Sequence, residues 1–162
     1  MAHAVTDIRE LERSEWRILR DTRLRALLDS PHAFTSRYEC EVRWPEHTWR
    51  RRFDIGTWVV AHHGEAVIGL AGLVDGDLGE PRHLEGIWVA PLHRRRQVFS
   101  RLLARVVQIA RADGLDWLPL WVLEDNAVAR EAYVRRGFVW RGKRQPLDPD
   151  ECRVERRLWL PI

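Results

Sequence analysis

Apolar residues recur along this chain at two spacings, one typical of helices and one typical of strands. The clearest helical repeat runs from Phe99 to Ala110 with apolar residues three and four positions apart, and Gly114 supplies a stop. An earlier repeat from Ser14 to Asp29 ends before Pro31 and predicts the first long helix. In each repeat the apolar residues fall mainly on one helical face.

Short apolar runs lie between the helical repeats and predict strands. We expect strands at about residues 5–9, 57–61, 66–73, 83–89, 117–122, 138–141 and 153–160. Two more helical regions are predicted, one over 35–53 with a break at Trp44-Pro45 and one over 126–136. Pro119 donates no ladder hydrogen bond, so its strand should be incompletely paired there. The mixture of elements without internal repeats predicts a mixed α/β fold.

The composition predicts one domain over residues 1–162, because the chain is 45% hydrophobic and too short for two comfortable cores. Lys and Arg total 27, and Lys143 is the single lysine among them. A net charge of +3 permits an anionic ligand. It does not predict a nucleic-acid binder, which usually concentrates its charge in a basic face.

The sequence predicts neither a metal site nor a disulfide framework. Cys40 and Cys152 fit no paired metal or redox spacing, and none of the seven histidines repeats at helical metal-binding spacing. The amino terminus lacks a charged segment followed by an apolar one, and no apolar run is long enough to cross a bilayer. We therefore expect a cytoplasmic protein with no membrane partner.

The second half of the chain carries a recognisable order of parts. A strand ending in Trp88-Val89-Ala90-Pro91 runs into Arg94-Arg95-Arg96-Gln97-Val98-Phe99, and Glu124-Asp125-Asn126 leads through Tyr133 to Gly137-Phe138. This order resembles the GNAT superfamily of acyl-CoA-dependent N-acyltransferases over about residues 84–138. The resemblance implies a GNAT-like α/β fold, with a central, mostly antiparallel twisted sheet whose middle strands splay apart and whose faces carry helices.

The loop before the long helix departs from the family pattern. That pattern is approximately Arg/Gln-x-x-Gly-x-Gly/Ala, and its backbone N–H groups hold the pyrophosphate of CoA. Arg94 matches its first position, whereas Gln97 and Phe99 replace its glycines. By resemblance the residues expected to bind the donor are Trp88, Val89, Arg94, Arg95, Arg96, Gln97, Val98, Phe99 and Asn126. The arginines are interpreted either as phosphate contacts or as a solvated turn, and Phe99 either as core packing or as a plug in the cleft.

Asn126 and Tyr133 lie seven residues apart, which places them on nearly the same helical face. By resemblance, Asn126 contacts the CoA arm and Tyr133 is the acid that protonates the departing thiolate. The alternatives are a helix cap for Asn126 and simple packing for Tyr133. By resemblance also, Glu85 is the candidate base, acting directly or through water, or else an exposed glutamate without a role. The backbone N–H of Val89 is the expected oxyanion donor.

Other polar and aromatic residues carry weaker signals. Glu124 is a second candidate base, or a charge at the start of a helix. Most of the nine tryptophans fall in periodic segments and predict core positions, including Trp121. Trp44 and Trp88 are the better candidates for an acceptor pocket.

The resemblance implies an N-acyltransferase that moves an acetyl group from acetyl-CoA to a primary amine by direct attack, with a small molecule as the expected acceptor. Three alternatives stay open at this point. The fold is either catalytic or a degenerate binding or regulatory module with impaired CoA binding, and a tRNA- or protein-directed acylating enzyme is a third interpretation. A homodimer is compatible with the sequence.

Overall fold

The computed structural model describes residues 6–148 and 151–162, and it contains seven strands and five α-helices within those ranges. The strands are β1 (Thr6–Glu10), β2 (Gly56–His63), β3 (Ala66–Val74), β4 (His83–Val89), β5 (Trp117–Leu123), β6 (Val139–Asp148) and β7 (Glu151–Pro161). The helices are α1 (Trp16–Asp29), α2 (Tyr38–Glu41), α3 (Glu46–Arg51), α4 (Val98–Ala112) and α5 (Ala127–Val134). The mixed α/β architecture predicted from the sequence is confirmed.

The strands form one sheet in the order β1-β2-β3-β4-β5-β7-β6. Every neighbouring pair is antiparallel except β4 and β5, which run parallel. The described ladder between β4 and β5 consists of a single register position, Leu84 facing Leu120, whereas β5 pairs with β7 along its whole length. The middle of the sheet therefore opens between β4 and β5, and Pro119 lies in the incompletely paired strand.

The two faces of the sheet carry separate apolar clusters because side chains alternate along each strand. On β2, Val59 and Ala61 join the cluster that packs under α4, while Trp58 and Val60 join the cluster under α1 and α3. Strands buried on both sides need apolar residues in succession, which explains the continuous apolar runs. The sheet is thus a middle layer between α4 on one face and α1 with α3 on the other.

A β-bulge bends β4 beside the opening. Leu70 faces Trp88 and Gly72 faces Glu85, so two residues of β4 lie opposite one residue of β3. Gly86 in this bulge has a φ of +65°, and a Cβ built on it would lie 3.4 Å from the guanidinium of Arg23. A side chain at this position would be strained, so glycine is required for the bulge.

The main differences from the sequence prediction concern the residues at which helices and strands begin and end. The region over 35–53 is broken at Trp44-Pro45 as predicted and forms two short helices, with Pro45 as the N-cap residue of α3 and not its first helical residue. The last two strands are longer than predicted and pair with each other as a hairpin. Among the described residues, none of the helices combines the length and apolar character needed to cross a bilayer.

Candidate active site

A cavity of about 440 Å³ lies beside the opening between β4 and β5. Its walls come from both strands, from α5, from α1 and from the segment that follows α1. Three residues singled out in the sequence meet there, Glu85 from β4, Asn126 from the start of α5 and Tyr133 from its end. Trp44 also lines the cavity, whereas Trp88, Val89 and residues 94–99 lie outside its lining.

Tyr133 is buried, with 8% of its surface exposed. Its ring lies 5.7 Å from the ring of Phe99 and 5.3 Å from that of Phe138, the latter edge to face. Burial raises the pKa of the Tyr133 phenol well above its ordinary value, against a smaller opposing effect of Arg136. The hydroxyl makes no hydrogen bond with the described residues. This phenol is therefore protonated at neutral pH and its proton is free to be directed to a ligand.

Asn126 caps α5. Its side-chain oxygen accepts a hydrogen bond from the backbone N–H of Ala129 at 3.1 Å. This satisfies one of the N–H groups that the first turn of a helix leaves without a partner. The capping interpretation is confirmed, and Asn126 lines the cavity at the same time.

Glu85 is held by two basic side chains. The Arg52 guanidinium pairs with its carboxylate, and His83 lies 3.8 Å from the other oxygen. Burial by itself would raise the pKa of Glu85, but His83 and Arg52 outweigh it and lower the pKa to about 2. Glu85 is therefore a carboxylate in the cavity, but one that binds a proton weakly.

The backbone of Val89 points into the opening of the sheet. Val89 faces Gly69 on β3, and the neighbouring Ala90 donates its N–H to Ile68 at 2.8 Å. In an antiparallel pair this makes Val89 the non-hydrogen-bonded position, so its own N–H and C=O point away from β3. The C=O accepts a hydrogen bond from Arg94 Nε at 3.0 Å. The N–H faces the side on which β4 and β5 diverge.

Asp29, the last residue of α1, ties the loop after β4 to that helix. Its carboxylate accepts a hydrogen bond from the Trp88 indole at 2.9 Å and pairs with the Arg94 guanidinium. The ring of Trp88 is covered by Arg25, whose guanidinium carbon lies 5.3 Å from the ring centroid. Arg94 is thus bound to protein groups on two sides. Trp88 is buried and does not form part of the cavity wall.

The loop before α4 adopts the backbone conformation that glycine favours, although it contains none. Arg95 has a φ of +61° and Gln97 a φ of +63°. Each such residue costs about 1 kcal/mol relative to glycine. Gln97 is the cap residue of α4 and makes no side-chain hydrogen bond to its first turn. The helix amino terminus therefore presents backbone N–H groups, and the exposed side chains of Arg95 and Arg96 form no ion pair with described residues.

Phe99, in the first turn of α4, packs against the apolar cluster and remains partly exposed. One neighbour is Tyr133, and another is Arg136, whose guanidinium carbon lies 4.4 Å from the Phe99 ring centroid. Arg136 also donates to Ser100 Oγ at 2.9 Å, which joins the end of α5 to the start of α4. The core-packing interpretation of Phe99 is confirmed.

Other residues of the cavity wall escaped the sequence prediction. Trp121, expected in the core, lines the cavity. Glu155 on β7 lines it too, although β7 is distant in sequence from the motifs. No spacing along the chain pointed to Glu155, because β7 reaches the site only through its pairing with β5.

Glu124 lies outside the cavity. Its carboxylate pairs with Arg144 at 2.7 Å and with Arg156, and hydrogen bonds from these two side chains lower its pKa to about 2. Both partners belong to the hairpin of β6 and β7. Glu124 therefore holds this hairpin at the end of β5.

Solved structures similar to this chain share the fold. An acetyltransferase of the GNAT family from Streptococcus pneumoniae superposes with a TM-score of 0.75 at 18% identity, covering 98% of this chain and 99% of that one. The ribosomal-protein-S18-alanine N-acetyltransferase from Escherichia coli superposes with a TM-score of 0.70 at 19% identity, covering 98% and 94%. A Bacillus anthracis chain assigned as a streptothricin acetyltransferase, solved in complex with acetyl coenzyme A, gives 0.59 at 22% identity over 67% and 64%.

No curated protein matches the sequence. The family described as Acetyltransferase (GNAT) family, by contrast, matches residues 6–138, which is most of the chain. That match spans the sheet opening, the loop before α4 and the helix that bears Tyr133. The chain therefore belongs to the GNAT family of acetyltransferases.

Proposed function

We propose that this protein, acting as a single domain, transfers the acetyl group of acetyl-CoA to a primary amine of a small-molecule acceptor by direct attack. One observation carries the proposal. The phenol of Tyr133 holds its proton, has no partner among the described residues, and lines a cavity together with the carboxylate of Glu85. An acid and a base on one cavity are what transfer from a thioester to an amine needs.

The amino terminus of α4 is the proposed site for the pyrophosphate of the donor. Backbone N–H groups and the helix dipole favour an anion there, and they do not depend on glycine side chains. Support comes from the left-handed backbone of Arg95 and Gln97, which provides the turn that glycines would otherwise provide. Arg95 and Arg96 are the proposed charged contacts, while Arg94 is engaged by Asp29 and by the carbonyl of Val89.

The proposed reaction begins when the amine nitrogen attacks the thioester carbonyl carbon and a C–N bond forms. The N–H of Val89 donates a hydrogen bond to the oxyanion of the tetrahedral intermediate. As the C–S bond breaks, Tyr133 gives its proton to the departing thiolate. The amine proton passes through water to Glu85, whose ionised carboxylate lines the same cavity and can accept it.

A degenerate GNAT-fold module with impaired CoA binding is the second candidate. The observation that favours it is Arg94, because a guanidinium bound to Asp29 and Val89 is not free to bind phosphate. In that case Arg94, in the loop before α4, would serve to hold the end of α1 against β4. The two candidates differ in one measurable property, which is affinity for acetyl-CoA.

Calorimetric titration of the full chain with acetyl-CoA separates them. We expect saturable binding, followed by release of free CoA when primary amines are added. Arg95→Gln together with Arg96→Gln should weaken binding, whereas the exposed Arg111→Gln on the last turn of α4 should leave it unchanged. Absence of binding at millimolar acetyl-CoA would refute the enzyme proposal and leave the module.

A further inference from the structure

Glu155 is a buried glutamate on the cavity wall that pairs with no cation in the described part of the chain. Its residue is 7% exposed, and one oxygen accepts a hydrogen bond from the Gln145 side-chain amide at 2.6 Å. It forms no ion pair with the described side chains. Its second oxygen has no hydrogen-bond partner among them, and the residue lines the cavity.

The other glutamates of the cavity wall are neutralised. Glu41 pairs with Arg23 at 2.8 Å, and Glu85 pairs with Arg52. These two arginines are the arginines of the lining, so each is already committed. Glu155 is therefore the glutamate of the cavity wall with which no arginine of the lining pairs.

The strand geometry keeps Glu155 in this position. On β7 it faces Leu123 of β5 on one side and Gln145 of β6 on the other. Arg157, two residues along the same face of β7, pairs with Glu80 and lies over the ring of Trp121 at 5.2 Å. The other arginines beside Glu155 on this strand are also directed elsewhere, Arg153 to Asp125 and Arg156 to Glu124.

A buried carboxylate with one neutral hydrogen-bond donor is electrostatically unsatisfied. A cation that enters the cavity removes this penalty and forms a charge-assisted hydrogen bond. Trp44, Trp121 and Phe34 line the same cavity, and their apolar rings lower the local dielectric and so strengthen that attraction.

We infer that Glu155 binds a second positively charged group of the acceptor, so that the preferred substrates are amines with two cationic ends. The inference rests on the proposed function, in which Glu85 serves the reacting amine. It assigns Glu155 to specificity and not to proton transfer. An acceptor with a carboxylate in place of its second ammonium should be disfavoured by the same charge.

Three amines of similar length test the inference on the full chain. Cadaverine ends in a second ammonium, pentylamine in a methyl group and δ-aminovalerate in a carboxylate. With acetyl-CoA as donor, we expect the wild-type protein to have a KM for cadaverine at least about tenfold below that for pentylamine, and the poorest use of δ-aminovalerate. Glu155→Gln should remove the preference by raising the KM for cadaverine to about that for pentylamine. Glu155→Asp should retain part of the preference for cadaverine. The control Glu131→Gln, on the exposed face of α5, should retain all of it.

If Glu155 had a purely structural role, Glu155→Gln would change the KM values of all three amines equally. That result would overturn the inference and leave the acetyltransferase proposal intact. Equal KM values for cadaverine and pentylamine in the wild type would do the same. If acetyl-CoA fails to bind, the proposed function fails instead. Calorimetric titration of cadaverine alone then decides about Glu155, because the inferred site requires Glu155→Gln to weaken that binding at least about tenfold.

Discussion

The ring of Phe99 lies 5.7 Å from the ring of Tyr133. Phe99 occupies a position at which the family pattern has a small residue, and Tyr133 is the proposed acid. The contact joins the first turn of α4 to the last turn of α5 across the open side of the sheet. Phe99 thus packs against the proposed acid, Tyr133, and helps to hold its ring in place.

Phe99→Ala should lower the free energy of unfolding by about 1–3 kcal/mol, because a partly buried aromatic ring loses its packing against Tyr133. We expect no gain in acetyl-CoA affinity. Denaturant titration and calorimetry measure the two quantities. The control is Leu92→Ala, whose side chain is 84% exposed and should be neutral. Tighter acetyl-CoA binding by Phe99→Ala or Phe99→Gly would show instead that the ring obstructs the cleft.

Gln97→Gly should raise the free energy of unfolding by about 0.5–1 kcal/mol. The φ of +63° is strained for glutamine and free of strain for glycine, which more than offsets the added flexibility of the unfolded chain. Ala104→Gly, at an exposed site within α4, should have the opposite sign and cost about 1 kcal/mol. Denaturant midpoints with unchanged slopes report both effects. Destabilisation by Gln97→Gly would mean that the glutamine side chain contributes contacts that outweigh the strain.

Tyr133→Phe should lower kcat by about a hundredfold or more while leaving acetyl-CoA affinity unchanged. The phenol oxygen has no hydrogen-bond partner among the described residues, so its removal should scarcely alter stability. Tyr38 is the other tyrosine in the chain, and Tyr38→Phe is the matched control. Steady-state release of CoA measures the effect. Turnover that survives Tyr133→Phe unchanged would remove Tyr133 from the role of acid.

Arg52→Gln should change the dependence of kcat/KM on pH. Glu85 must be ionised to take a proton, so activity falls as pH drops through its pKa, which lies at about 2 while Arg52 is present. Removal of the guanidinium leaves burial less opposed and raises the pKa of Glu85, which shifts the acidic fall of the profile to higher pH. The exposed neighbour Arg51→Gln should retain the wild-type profile. An active Arg52→Gln variant with an unshifted profile would exclude Glu85 as the base.

Parts of this site could be predicted from the sequence because they depend on local order. Asn126 and Tyr133 share a helical face by their spacing alone, and both line the cavity. The bounds of β4 agree with the predicted strand, because an apolar run between turn residues is a local signal. The packing of Phe99 against the apolar cluster followed from the same three- and four-residue repeat that predicts α4.

Other parts required the tertiary structure. The pairing of Glu85 with Arg52 joins residues from two different elements, and it changes a candidate base into a carboxylate with a pKa of about 2. The ion pair between Arg94 and Asp29 likewise depends on where α1 ends. Neither ion pair could be predicted from the spacing of residues along the chain.

The sequence by itself determined the mixed α/β class, the order of the main elements and the helical face shared by Asn126 and Tyr133, since periodicity and local motifs act within a few residues. Only the tertiary structure decided that the loop before α4 keeps a left-handed backbone without glycine and that Glu155 lines the cavity without an ion pair to the described residues. The physical reason is the range of the interactions. Helical and strand patterns are set by neighbours in sequence, whereas burial, ion pairing and pKa depend on groups that only folding brings together.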